Sequence, residues 1–387
     1  MAIHDPSNYD LVSLGLGNET YQEFVDSYLA NKYNAFNVPG FSWDPSIQID
    51  YTYQQLEAEM GIYTMATYIT PGAPSPVKSN QSFVVNYGTI PHNSHSYSLD
   101  DRALRLQAKI NQETGMFTNN MRTAINDLLF DTTDKLIGGN YNLLTYQRDQ
   151  MVSNGALTLT DANDPNGLKN VTFSANVASG NVNTLTLQNR WFTASDNTEG
   201  TSSDPLTNLQ DMQLLMENKG VAAYHWEVDK ISLRRAFKHS KIQQAIAFSL
   251  YPLMPTANAT AVVANMGYNA KKAALEGVLG CSILEIDNIV AVEKFNPATG
   301  KVEASQLRSF NADTWALVPD GQLGSIMSVQ PIMLGGSDGA NIAQFDGGRT
   351  LLRRYYDIRT NIQYVQSDNA SLVVPSVAKR MFRLIVA

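Results

Sequence analysis

His92 and His95, three residues apart in the run HNSHS, are the side chains best spaced to hold a metal ion or share a proton-transfer task. Either task needs a third ligand or a buried acid nearby, and none is adjacent. A cytosolic hydrolase using His92 and His95 is the enzyme reading that these residues allow, and it requires both imidazoles to line one pocket. His225 and His239 fall on a predicted strand and a predicted helix, where histidines are ordinarily core or surface residues. Cys281 is the only cysteine, so no intramolecular disulfide or zinc cluster can form. Its apolar setting, residues 278–284 (VLGCSIL), predicts a small buried side chain. Gly335, Gly336, Gly339, Gly347 and Gly348 lack the strand-to-helix spacing of a dinucleotide loop. There is no G-x-S-x-G and no P-loop lysine. No catalytic, metal or cofactor site is expected.

Composition narrows the classes further. The 387 residues are 43% hydrophobic, enough for a large core or two joined ones. Charged residues are only 17%, against a usual ~25%; asparagine, glutamine, serine and threonine fill the gap. A surface poor in charge suits a protein covered by copies of itself. The net charge of −8 argues against gripping nucleic acid through its phosphates, but not against enclosing it. No run approaches the ~18 apolar residues of a membrane span. The first residues, MAIHDP, do not read as a signal peptide, and the single cysteine fits folding in a reducing cytosol.

The elements follow from periodicity. Residues 20–33 place Tyr21, Phe24, Val25, Tyr28 and Leu29 at helical spacing, between segments rich in glycine and proline. Residues 1–50 are too few for a domain and read as an arm lying on something else. Residues 62–70 (IYTMATYIT) and 82–87 (SFVVNY) alternate as strands around Pro71, Pro74 and Pro76, with Lys78 at the tip. An isolated hairpin is marginal in water, so this one needs a neighbour. Ser98 and two aspartates predict a helix start. Leu99, Leu106, Ile110, Phe117, Met121 and Leu128 predict one helix of ~30 residues or more, against a mean near ~12. A second helical segment is expected after Gly138 and Gly139, to about Met151.

Residues 155–192 read as strands and turns. Asp204 and Pro205 open a helix to Lys219, with Leu206, Leu209, Met212, Leu215 and Met216 as its buried face and Gly220 at its end. A strand at 224–228, a helix at 232–250 and strands at 282–286 and 289–292 complete an α+β pattern. Residues 315–327 (WALVPDGQLGSIM) are a buried run, a tight turn and a second apolar run. Residues 335–348 are too glycine-rich to pack a core and predict an edge loop, with Arg349, Arg353 and Arg354 beside it. Residues 355–365 alternate as a half-buried strand, and residues 371–386 (SLVVPSVAKRMFRLIV) follow.

The wording of residues 315–386, together with the order arm, hairpin, long helix and α+β body, resembles the major capsid protein of tailed double-stranded DNA bacteriophages, most closely the lambda-like group. The resemblance implies an α+β, Hong Kong 97-like capsid fold. Its parts would be an N-terminal arm (1–50), an extended β-hairpin loop (51–97), a peripheral domain with spine helix and β segments (98–203), an axial domain (204–350) and return strands to the peripheral domain (351–387). It further implies a structural, non-enzymatic role: pentamers and hexamers in an icosahedral lattice enclosing genomic DNA without sequence-specific binding. A portal protein would be a partner, and, with no N-terminal scaffolding stretch of about 100 residues, assembly would need a separate scaffolding protein or a self-sufficient shell; a decoration protein is left open. The location implied is the virion, assembled in the host bacterial cytoplasm, with no membrane. Contacts between subunits would fall at Pro71, Pro74, Pro76 and Lys78 and at Arg349, Arg353 and Arg354, the lysine in some relatives crosslinking to an asparagine. An encapsulin-like nanocompartment shell is the alternative within the same fold. A tail or receptor-binding β protein is disfavoured by the long helix.

Overall fold

The computed structural model describes residues 22, 25–33, 37–58, 83–99, 121–165, 167–192, 198–253, 255–296, 298, 301–331, 341–357 and 362–386. The expected hairpin tip with Pro71, Pro74, Pro76 and Lys78, the helix positions Leu106 and Phe117, and Gly335, Gly336 and Gly339 lie outside them. Residues 1–53, 88–144 and 326–373 form one compact unit; residues 54–87, 145–325 and 374–387 form the other. The architecture is α+β.

The first unit is organised by a six-stranded sheet. Its path runs β1 (Phe41–Trp43), β13 (Gly324–Ser328), β16 (Ile362–Pro375), β15 (Thr350–Asp357) and β14 (Asn341–Phe345), with β4 (His92–Leu99) also paired to β16. Ser98 and Leu99 are therefore strand, not the start of the long helix. A run as polar as HNSHSYSL has little reason to be a strand by itself. Eight backbone partners on β16, from Gln363↔Leu99 to Ala370↔His92, make it one.

Helix α2 (Met121–Ser153) runs 33 residues, straight through Gly138 and Gly139, where two segments were expected. Its residues to Leu144 belong to the first unit. The glycines serve packing. A Cβ at Gly138 would stand 3.2 Å from Tyr33 Oη, and one at Gly139 would stand 3.0 Å from His95 Nε2. Leu136, Ile137 and Leu144 are buried on this helix, which offsets the ~1 kcal/mol that each glycine costs a helix.

The arm is anchored as its pattern required. Val25–Leu29 forms a π-turn that leads into α1 (Ala30–Tyr33), and Val25 and Leu29 are fully buried. Tyr33 donates to Asp134 Oδ1 at 2.9 Å and packs on Tyr141 at 5.1 Å between ring centres. The Gln22 amide exchanges hydrogen bonds with the backbone of Gln344 in β14, at 2.8 and 2.6 Å. It thereby supplies the partner that this edge strand lacks.

The second unit contains a five-stranded mixed sheet, in the order β7 (Val182–Thr184), β17 (Phe382–Ile385), β12 (Thr314–Pro319), β8 (Tyr224–Asp229) and β9 (Ile283–Ile286). β12 is buried at all six positions because it is central and covered on both faces. The helices of this unit are α3 (Pro205–Asn218), α4 (Lys230–Ala236), α5 (Ser240–Leu250), α6 (Ala259–Ala264) and α7 (Tyr268–Leu279). Their buried faces share one core with Trp191, Trp226 and Trp315, whose rings meet edge-on at 5.1 and 6.0 Å. Asp204 caps α3 through the Thr207 amide at 3.4 Å, with Pro205 in the first turn, as read from sequence. Leu215, expected on its buried face, is exposed.

Several expectations are corrected here. The helix expected over 232–250 is two, broken at Phe237–His239. His239 is fully buried, accepts from the Lys241 amide at 3.2 Å as the cap of α5, and meets Ser203 Oγ at 2.9 Å. After the Pro319-Asp320-Gly321 turn the chain leaves the five-stranded sheet at β12 and enters the six-stranded sheet at β13. β17 pairs with β12, and β13 and β14 belong to the sheet of β16. Pairing partners far along the chain set these memberships, and local pattern does not report them.

Two ribbons stand apart from these sheets. β2 (Thr52–Ala58) pairs with β3 (Phe83–Thr89), and β10 (Ile289–Asn296) with β11 (Lys301–Arg308), neither joining a larger sheet among the described residues. A third short pair is β5 (Ala156–Leu159) with β6 (Val171–Ser174).

Candidate functional site

The histidine pair is built by β4, and the strand decides its chemistry. Successive side chains on a strand alternate between faces, so residues i and i+3 point to opposite sides. His92 is exposed and lies 3.9 Å from Asp368 Oδ1. On that face Ser94 donates to the same oxygen at 2.7 Å and Gln366 at 2.8 Å, while Arg353 Nε lies 3.1 Å from Asp368 Oδ2. His95 turns to the other face, toward α2. Burial holds its imidazole below the usual histidine range, against a hydrogen bond to the Leu136 backbone and the charge of Asp368. Beside it, Asn140 donates to Ser367 Oγ at 2.8 Å. The two imidazoles do not line one pocket, which removes the geometric basis of the hydrolase reading. Among the described residues no group of three or more His, Cys, Asp or Glu side chains is placed to hold a metal ion.

The arginines do not form one patch either. Arg349 follows the turn Asp346-Gly347-Gly348, all three at positive φ (54°, 65° and 90°), so the end of the glycine-rich stretch is a hairpin turn between β14 and β15. Tyr141 donates to both carboxylate oxygens of Asp346, at 2.8 and 3.0 Å, and burial raises that carboxyl above its usual range. Arg349 donates to the carbonyls of Asp346 and Asp44 at 3.0 and 2.8 Å and lies over the Trp43 ring at 5.1 Å. Arg353 and Arg354 are adjacent on β15 and therefore face opposite sides of the sheet.

The densest polar constellation, in the second unit, is one that the sequence did not announce. Arg148, on α2, is 2% exposed and bridges Asp149 Oδ1 at 3.1 Å and Glu227 Oε1. Asp149 Oδ2 accepts from Asn288 at 2.9 Å and from Ser309 Oγ. His225 contacts Glu227 Oε1 at 3.4 Å and Asp320 Oδ1 at 2.6 Å. Burial opposes charge on this imidazole, but Glu227 and Asp320 outweigh it and hold it above its usual range. Burial likewise opposes the Glu227 carboxylate, and Arg148 and His225 keep it ionised. Paired in this way, with Glu227 Oε2 the one oxygen of that carboxylate left without a hydrogen bond, the cluster fixes side chains. The only sequence signal was a charge alternating with apolar residues in YHWEVD, and the partners lie 79 positions apart.

Cys281 is half-buried rather than buried. Its thiol accepts from Gln213 at 3.0 Å and is pushed up to about 11 by burial, away from thiolate chemistry.

No family model matches the chain, and no curated protein matches it. Among solved structures it is similar to a phage-related protein of Bordetella bronchiseptica RB50, at 12% identity over 92% of this chain and 95% of that one, with a TM-score of 0.46. It is similar to the putative capsid protein of a prophage of E. coli CFT073, at 11% identity over 79% and 80%, with a TM-score of 0.45. It is also similar to the mature capsid of bacteriophage PhiM1, at 11% identity over 90% and 87%, with a TM-score of 0.44.

Proposed function

We propose that this chain is a structural major capsid protein, tiling an icosahedral shell that encloses phage DNA. The observation that carries the reading is the pair of lone ribbons. In β2–β3, Val85 and Tyr87 are exposed, while Tyr53, Gln55 and Asn86 are buried. In β10–β11, every residue from Val302 to Gln306 is exposed, so neither face of β11 is covered along that stretch. A two-stranded ribbon with at least one wet face is marginal in water and gains most from a neighbouring surface. Two such ribbons, with an anchored arm and a sparsely charged chain, suit a molecule that completes itself against its own copies.

On this reading pentamers and hexamers form the lattice, and a portal and a scaffolding protein act during assembly. The DNA is contained rather than bound by sequence. Pro71, Pro74, Pro76 and Lys78 are proposed contacts between subunits. Arg349 and Arg353 already have partners within the chain, so they would add a neighbour's contact rather than wait for one. Electron microscopy of the purified protein tests the reading: hollow particles are expected, and a folded monomer under all assembly conditions contradicts it.

A further inference from the structure

From Ile242 to Ala270 the chain carries no Asp, Glu, Lys or Arg, the longest such run in a sequence that is 17% charged. Part of this run is core: Ile246 and Ala247 of α5 and Ala259 and Val263 of α6 are fully buried. The connection between those helices is the opposite. Leu250, Tyr251, Pro252, Leu253 and Pro255 are all exposed, Leu253 at 99%. Consecutive exposed apolar residues are rare on a soluble surface without a partner.

The tip is also anchored on both sides. The Tyr251 amide donates to Ala247 O at 2.8 Å, closing α5. Pro252 and Pro255 restrict the backbone, and a 3-10 turn at Thr256–Asn258 leads directly into α6. A tip held at both ends by buried helices loses little freedom when it is covered.

We propose that residues 250–253 and 255 form a self-association surface, at which copies of this chain meet through the same segment. Charge selects that occupant. When a segment faces its own copy, any charge in it faces the same charge, and repulsion follows. An uncharged apolar tip avoids this, whereas a partner of different sequence would gain from complementary charges that the tip does not offer. The inference deepens the shell reading and rests on it.

The test compares the intact protein with Leu253→Asp. Particle yield in the variant is expected to fall about tenfold or more, because a weakness repeated in every copy multiplies over a lattice, while the melting temperature of the dissociated chain stays unchanged. If Leu253→Asp assembles like the intact protein, this inference is overturned and the shell reading stands. If the intact protein never leaves the monomeric state, both fall. If Leu253→Asp alters the melt, Leu253→Cys in a Cys281→Ser background decides: an interchain disulfide on mild oxidation supports the contact, and none overturns it. Co-sedimentation of the dissociated chain with phosphatidylcholine vesicles, lost in Leu253→Asp, would assign the tip to lipid and overturn the proposal.

Discussion

Strands β12 and β11 lie in the same unit and have opposite surroundings. All six residues of β12 are buried, whereas Val302 to Gln306 of β11 are all exposed. β12 has a hydrogen-bonded neighbour on each side and cover on each face, so it holds the fold. β11 has β10 alone. Residues that stabilise the chain and residues available to other molecules thus separate cleanly, and substitutions in the two strands should behave differently.

The largest effect is expected at Trp315. Its ring contacts Trp191 and Trp226, and its indole donates to Ser232 Oγ at 3.0 Å. Trp315→Ala should cost about 3–5 kcal/mol in chemical denaturation. A loss below about 1 kcal/mol, the average for any point change, would mean that β12 is not the centre of this core.

An intermediate effect belongs to the helix–sheet contact of the first unit. Gly139→Val pushes a branched side chain against His95, whose Nε2 a Cβ at this position would approach to 3.0 Å. The cost should be about 1–3 kcal/mol, and His95→Ala should recover part of it. Stabilisation by Gly139→Val would show that the glycine had no packing role.

The smallest effect is expected in the ribbon. Val302→Ser should leave the stability of the dissociated chain within about 0.5 kcal/mol while lowering particle yield. A destabilisation comparable to that of Trp315→Ala would erase the distinction between the two strands.

The same contrast explains what the sequence could be made to reveal. Residues 315–318 (WALV) are an unbroken apolar run that reads as buried, and Asp204 with Pro205 opens a helix by local chemistry, so both were legible. Gly138 and Gly139 were read as a break because glycine is a local breaker. Their actual role is set by Tyr33 and His95, which the sequence holds far away. Ser98 and Leu99 were read as the start of the long helix and became strand only through β16. The Arg148–Glu227 pair joins a helix to a strand 79 positions on, and neither residue has a neighbour in sequence that hints at the other. Local signals reached the elements, but not the pairings that assign them to one sheet or the other.

The central claim is that this chain completes itself against its own copies. Electron microscopy of the purified, intact protein, with sedimentation velocity on the same sample, tests it most directly. The account predicts closed hollow particles that sediment far ahead of a 42.6 kDa chain. A single, folded species at the mass of one chain, at every concentration and salt tried, would contradict it.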